Sequence, residues 1–187
     1  MILLASQSSR RRELLDQIGV QYQTIRVKTD ESWLEKESST EYVKRVTLAK
    51  AHAGLKIAPG NPILAADTCV VLDNIPMGKP RDEAHGLQML ASLSGRTHQV
   101  ITGVALLHQH MEYYCLGESR VRFCDIDVAQ ARRYWATGEP LDKAGGYAIQ
   151  GRGALFIEHI SGSYSGIMGL PLFETGQMLG KAGLLRV

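Results

Sequence analysis

The sequence predicts a mixed α/β fold, a mixed β-sheet flanked by helices, on two observations. Strand-like and helix-like segments alternate early in the chain, and a long antiparallel hairpin pattern sits in its middle. Taken in order, Ile2 to Ala5 reads as a buried strand, and Leu14, Leu15 and Ile18 at helical spacing place a helix over Ser9 to Ile18, stopped before Gly19. Tyr22 to Val27 is a second strand. Ser38 with Glu41 forms a capping box ahead of the apolar stripe Val43, Val46, Ala49 and Ala53, on a helix running to about Ile57. Ile63 to Ala66 and Cys69 to Leu72 read as strand on either side of Asp67, followed by a turn at Asp73 and Asn74. Asp82 caps a helix to Leu93, closed near Gly95. Gln99 to Leu107 and Tyr113 to Asp125 make the hairpin around His108 to Glu112, and a short helix follows from Asp127 to Ala136. Glycine-rich stretches frame strands near Tyr147 and over Leu155 to Ile160, and Leu172 to Lys181 is the last helix.

A chain of 187 residues, 44% apolar and 21% charged, fits one domain over 1–187 with a sizeable core. Twenty-one Lys and Arg against 19 Asp and Glu leave a net charge of only +2, so no global field marks a nucleic-acid or membrane binder. A plain nucleic-acid binder would need a basic stripe with interleaved aromatics, and only SSRRR forms a local cluster. Cys69, Cys115 and Cys124 lack a CxxC spacing and sit among apolar residues, which points to reduced thiols. The opening MILLAS is too short for a signal-peptide core and is followed, not preceded, by its basic residues; the expected compartment is the cytoplasm. No apolar run approaches membrane length.

Three stretches carry residues suited to chemistry. In Ala5 to Arg12, ASQSSRRR, a strand runs through a polar turn into a helix start, where backbone N–H groups, Ser6 and Ser8 can meet an anion. Arg10, Arg11 and Arg12 add charge in the planar form that suits phosphate. Helical rotation cannot aim all three the same way, and a plain helix cap at Ser9 with solvated arginines is the competing reading. The second stretch centres on Asp67, a carboxylate between LAA and TCVVL that must be paired, metal-bound or catalytic, or else a strand-end Asp turning with Thr68. Asp30 and Glu31 offer further carboxylates for a hard divalent cation, and Lys50 and Lys79 offer positive charge for phosphate oxygens. The third, EPLDKAGGYAIQGRG over Glu139 to Gly153, combines Asp142, Lys143 and Gln150 with glycines that serve either turns or close ligand approach. His108 and His110, flanking Gln109, fit a polar hairpin tip better than a metal chelate.

Taken together, ASQSSRRRELL, AADTCVVLDN with GKPRD, SGRTHQVITGVAL, EPLDKAGGYAIQG and GSYSGIMGLPL closely resemble the motif series of the Maf-like nucleoside triphosphate pyrophosphatases, in order and nearly end to end. Asp67 with Thr68, and IQG around Gln150, resemble the branch that acts on dTTP and UTP. The resemblance implies an elongated mixed sheet with flanking helices, two lobes around a nucleotide cleft, and it allows a homodimer. It assigns the general base to Asp67, phosphate contacts to Ser6, Arg11, Lys50 and Lys79, specificity to Arg10, Thr68 and Gln150, and a metal-linked acidic position to Glu31. Arg10 also matches a phosphate-binding position of the family. The implied cofactor is a divalent cation, Mg or Mn. Water would attack the α-phosphorus, with Asp67 either taking its proton or acting as a ligand to the cation. The partner is a pyrimidine nucleoside triphosphate, with neither nucleic acid nor membrane. Two positions depart from the pattern: Ser9 stands where proline is usual, and Ala49 replaces an acidic residue often found before Lys50. Two other functions would use much the same residues, a pyrophosphatase for a different base and a nucleotide-binding regulator of cell division with little turnover.

Overall fold

The computed structural model describes residues 1–185; residues 186 and 187, included in the expected single unit, lie outside the described residues. Seven strands form one mixed sheet in the order β2-β1-β3-β5-β6-β7, with β4 pairing only with β3. The strands are β1 (Ile2–Leu4), β2 (Tyr22–Thr24), β3 (Ile63–Leu72), β4 (Ile75–Met77), β5 (Thr97–His108), β6 (Met111–Phe123) and β7 (Ile157–Ser161). The helices are α1 (Ser9–Gln17), α2 (Ser39–Ile57), α3 (Glu83–Leu93), α4 (Val128–Trp135), α5 (Tyr164–Met168) and α6 (Leu172–Lys181). β1 runs parallel to both β2 and β3, while β4, β5, β6 and β7 pair antiparallel with their neighbours. The expected mixed sheet with flanking helices is therefore the fold.

Period-two alternation decides which helix covers which face. Ile2, Leu4, Leu64, Ala66, Val104 and Leu106 pack toward α1 and α6 with Leu14, Leu15, Met178 and Leu179. Leu3, Ala5, Ile63, Ala65, Ala105 and Leu107 pack on the opposite face with Ala51 of α2. A third cluster fills the far end of the sheet, where Val70, Val100, Val121 and Phe123 meet α3, α4, Tyr147, Ile149 and Phe156. Burying apolar side chains on both faces is the main force holding these layers together. The capping box at Ser38 and Glu41 is present in full and starts α2, and Asp82 caps α3 by accepting from His85 N–H.

Four local expectations change. β3 is one continuous strand through Asp67 rather than two pieces, because the backbone pairing with β5 runs unbroken from Ile63 to Val71. The hairpin turn shrinks to Gln109 and His110, both at positive φ, a geometry that matches strand twist and lets β5 and β6 pair as far as His108 and Met111. The turn expected at Asp73 and Asn74 is present and of the same kind, and it returns the chain as β4. Tyr147 lies in irregular backbone, not in a strand: Gly145 and Gly146 at positive φ bend the chain just before it. Around Leu155 the chain is likewise a tight 3₁₀ turn, and the strand begins only at Ile157.

Candidate active site

A gap in the sheet makes the site. β3 pairs with β5 along nearly its whole length, but its other edge meets β1 only at Ile63 and Leu64 and β4 only at Val70 to Leu72. Between those pairings β3 has no strand partner on that side, and a cleft of about 690 Å³ opens there. Asp67 and Thr68 occupy the gap. Strand alternation sends Asp67 toward α2 and Thr68 toward α1, so two neighbours contribute to the cleft from opposite faces of one strand. The turn after β1 and the start of α1 close one end, at the boundary between the parallel strands and the antiparallel remainder, where open α/β sheets commonly hold ligands.

Asp67 is only 7% exposed. Its Oδ1 accepts from Lys50 Nζ at 2.7 Å, and Lys50 also pairs with Glu31 Oε1 at 3.0 Å. Two carboxylates thus converge on one ammonium, which answers the requirement that a buried charge be paired. Asp67 Oδ2 has no protein donor among the described residues. Glu31 differs from Asp67 in exposure, with 52% of its side chain open to solvent against 9%.

On the other face Arg11 ties three elements together. Its Nε donates to Gly169 O at 2.8 Å, Nη1 to Ser6 Oγ at 3.0 Å and Nη2 to Thr68 Oγ1 at 3.2 Å. Because Arg11 can only donate and Gly166 O can only accept, the hydroxyls between them have one direction: Arg11 to Thr68, Thr68 to Thr102 at 2.9 Å, and Thr102 to Gly166 O at 2.8 Å. Burial lowers the Arg11 pKa, with Asp67 opposing that shift. Arg10 donates from Nε to Met168 O at 3.2 Å and is likewise lowered by burial, opposed by Asp142 and Glu13. Arg12 is exposed and outside the cleft lining, as helical rotation requires. Ser8 caps α1 without a side-chain hydrogen bond, and Ser6 Oγ instead accepts from Ser8 N–H at 3.2 Å.

Ser6, Arg10, Arg11, Glu31, Lys50, Asp67, Thr68, Lys79 and Gln150 all line this cleft, joined by Asp142, Lys143, Tyr42 and Tyr147. Lys79 and Gln150 are exposed and reach it from the loops after β4 and after α4. Those two loops are joined by Gly145 N–H donating to Gly78 O at 3.1 Å. A side chain at Gly145 would press on Val70 as well as strain a φ of +70. Asp30 stands outside the lining and accepts from Ser32 N–H at 2.8 Å. His108 and His110 belong to the distant hairpin tip. Sequence reasoning passed over Thr102 and Tyr42; Thr102 had a signal of its own, a hydroxyl inside the apolar run VITGVALL. Among the described residues no group of three or more His, Cys, Asp or Glu side chains forms a metal cage, and no helix is long and apolar enough to cross a membrane.

The chain is similar to known proteins along nearly its full length. The dTTP/UTP pyrophosphatase of Alkalilimnicola ehrlichii is 55% identical over 184 residues, 95% of this chain and 91% of that protein. Those of Methylococcus capsulatus and Dechloromonas aromatica are 47% and 46% identical, covering 98% and 97% of this chain and 91% and 97% of their own. Among solved structures, that of the Staphylococcus aureus Ham1 protein is similar over 66% of this chain and 72% of its own, at 15% identity and a TM-score of 0.46. A family model described as Maf-like protein matches residues 1–182, and by that match and these identities the chain belongs to the Maf-like protein family.

Proposed function

We propose that this chain is a nucleoside triphosphate pyrophosphatase that hydrolyses dTTP and UTP to the monophosphate and pyrophosphate. The observation that carries the reading is Asp67: buried at the sheet gap, with Oδ1 held by Lys50 and the side chain lining the cleft. The names and high identity of the relatives support the substrate pair.

Water attacks the α-phosphorus and gives its proton to Asp67. The bond from the α-phosphorus to the bridging oxygen breaks, and its electron pair leaves with pyrophosphate. Lys50, Lys79 and Arg11 meet the charge that spreads over the phosphate oxygens, helped by Ser6 and the N–H groups that open α1. No acidic residue stands in the first turn of α1 to oppose an anion. The residues that would hold a divalent cation, Mg or Mn, are Asp67 and Glu31, whose carboxylates both reach Lys50 and are the hard oxygen donors such an ion takes. When bound it neutralises phosphate charge.

Base choice falls to Gln150, whose amide both donates and accepts and so matches the N3–H and carbonyl edge of uracil or thymine. Arg10 keeps its terminal nitrogens without protein acceptors among the described residues and lines the same cleft as Gln150. The Thr68 hydroxyl is occupied by Arg11 and Thr102, so its effect on selection runs through the placement of Arg11. The reading further takes the enzyme as cytoplasmic, free of nucleic acid, and a homodimer; light scattering on the purified chain tests the last.

A panel of triphosphates with pyrophosphate detection is the direct test, and UTP and dTTP are expected to turn over fastest. A purine preference would overturn the substrate claim. Asp67→Asn is expected to keep nucleotide binding while kcat falls by roughly 10²–10⁴, the range for removing a general base. Unchanged turnover would take Asp67 out of the reaction, whereas binding without turnover in the wild type would favour a nucleotide-binding regulator.

A further inference from the structure

Gln150 is exposed on the loop from Tyr147 to Gly153, and its side chain forms no hydrogen bond with the protein among the described residues. Something else must hold the loop still if a flexible amide is to read a base edge, because each freely rotating contact group costs ordering entropy on binding. Glu139 does this from outside the cleft. Its Oε1 accepts from Tyr134 OH at 2.6 Å and from Gly153 N–H at 3.0 Å, and its Oε2 accepts from Arg152 N–H at 2.8 Å. Tyr134 OH in turn accepts from Ala148 N–H at 3.1 Å. The backbone is therefore pinned on both sides of Gln150, at Ala148 before it and at Arg152 and Gly153 after it. Gly151 lets the chain pass directly over the carboxylate, since a Cβ there would collide with both Glu139 oxygens. From the sheet side, buried His98 hydrogen-bonds Tyr147 OH at 2.7 Å and anchors the start of the loop.

The chemistry of Glu139 suits this task and not catalysis. Burial pushes its carboxyl pKa up, but the hydrogen bonds from Tyr134, Gly153 and Arg152 outweigh that and leave it below the ordinary value. The side chain is thus an ionised acceptor of three donors at neutral pH, and charge-assisted hydrogen bonds are the strong kind. It does not line the cleft, and its oxygens are taken up by Tyr134, Arg152 and Gly153 donors.

We propose that Glu139 is a positioning residue for base selection, fixing the Ala148–Gly153 backbone so that Gln150 meets the pyrimidine edge. This rests on the reading of the chain as a dTTP/UTP pyrophosphatase. The test is steady-state kinetics of the full chain carrying Glu139→Gln, which keeps the shape but replaces one acceptor oxygen with an NH₂ that faces N–H donors. KM for UTP and dTTP is expected to rise about tenfold, the factor for losing roughly one net polar contact, while kcat stays within about twofold. Preference for UTP over CTP falls by a similar factor, and inhibition by pyrophosphate, which senses only the phosphate end, does not change. In a Gln150→Ala background the same substitution adds little, because the two residues act through one contact. Tyr134→Phe, which keeps the ring packing, is expected to move the same parameters in the same direction and serves if Glu139→Gln does not fold. Unaltered KM and base preference in either folded variant, or effects that add fully to those of Gln150→Ala, would overturn the proposal. A wild-type chain that releases no pyrophosphate from UTP or dTTP would instead overturn the functional reading beneath it.

Discussion

Opposite faces of one strand give Asp67 and Thr68 different neighbours, and single hydrogen-bond partners decide what each can do. Asp67 reaches Lys50 on α2, while Thr68 lies in a one-way chain from Arg11 to Gly166 O. His98 shows how burial sets a residue's chemistry. At 2% exposure, with Phe123 and Tyr147 packed edge-on against it, its imidazole pKa is pushed down to about 4 from an ordinary 6.5. The unfolded chain binds a proton at His98 as pH falls through 6.5, whereas the folded protein resists it until about 4. Between those values the unfolded state holds more protons, so stability falls on acidification and this contribution is exhausted below the lower value. A shift of that size corresponds to about 3 kcal/mol. Urea unfolding across this window should show a smaller acid loss in His98→Gln than in the wild type; equal losses would mean that His98 is not the group responsible.

Elements set the spacing between these residues. α2 rides on β3 and β5 and carries Lys50 toward Asp67, and it comes close because position 103, directly across from Asp67, is glycine. A Cβ at Gly103 would lie 2.7 Å from Thr47 Oγ1 and 2.9 Å from both Tyr114 OH and Val43 Cγ1. Gly103→Ala is therefore expected to cost about 1–3 kcal/mol through overpacking, and to lower kcat/KM as α2 withdraws Lys50 from the site. Denaturant unfolding and UTP turnover measure the two effects. Full stability with full activity would show slack between α2 and the sheet. α5 matters for a similar reason, despite its five residues: its end presents the carbonyls of Met168 and Gly169 to Arg10 and Arg11.

At the scale of the whole molecule, the cleft lies where the packing against α1, α2 and α6 gives way to the cluster around α3 and α4. Loops from both regions line it, so a ligand held there would touch both. Arg10, Arg11, Lys50, Lys79 and Lys143 crowd around it against Glu31, Asp67 and Asp142, a cationic excess suited to a polyanion. A non-hydrolysable UTP analogue at about 100 times its Kd is expected to add about 2.7 kcal/mol and raise Tm by roughly 5–10 °C, for a chain of this size. Differential scanning fluorimetry reads that shift. Asp67→Asn should retain most of it, and no shift in the wild type would mean that the cleft does not hold the nucleotide.

Much of this was legible in the chain itself. Apolar spacing marked α1, α2 and α3, capping residues marked the starts of α2 and α3, and the polar breaks at Ser6, Asp67 and Gln150 marked the cleft, because such signals act over a few neighbouring residues. Less local features were hidden. That β3 continues through Asp67 depends on the partner strand β5, not on local composition, and the irregular path at Tyr147 is held by His98, Tyr134 and Glu139, distant or unremarked in sequence. The sequence by itself determined which polar and charged side chains were available to the cleft. Only the tertiary structure decided their company: Asp67 beside Lys50, Arg11 bolted to Thr68 and Gly169, and Gln150 on a loop clasped by Glu139. Those pairings join residues from separate elements, and only the closure of the sheet and its packing against the helices brings such atoms within hydrogen-bond reach.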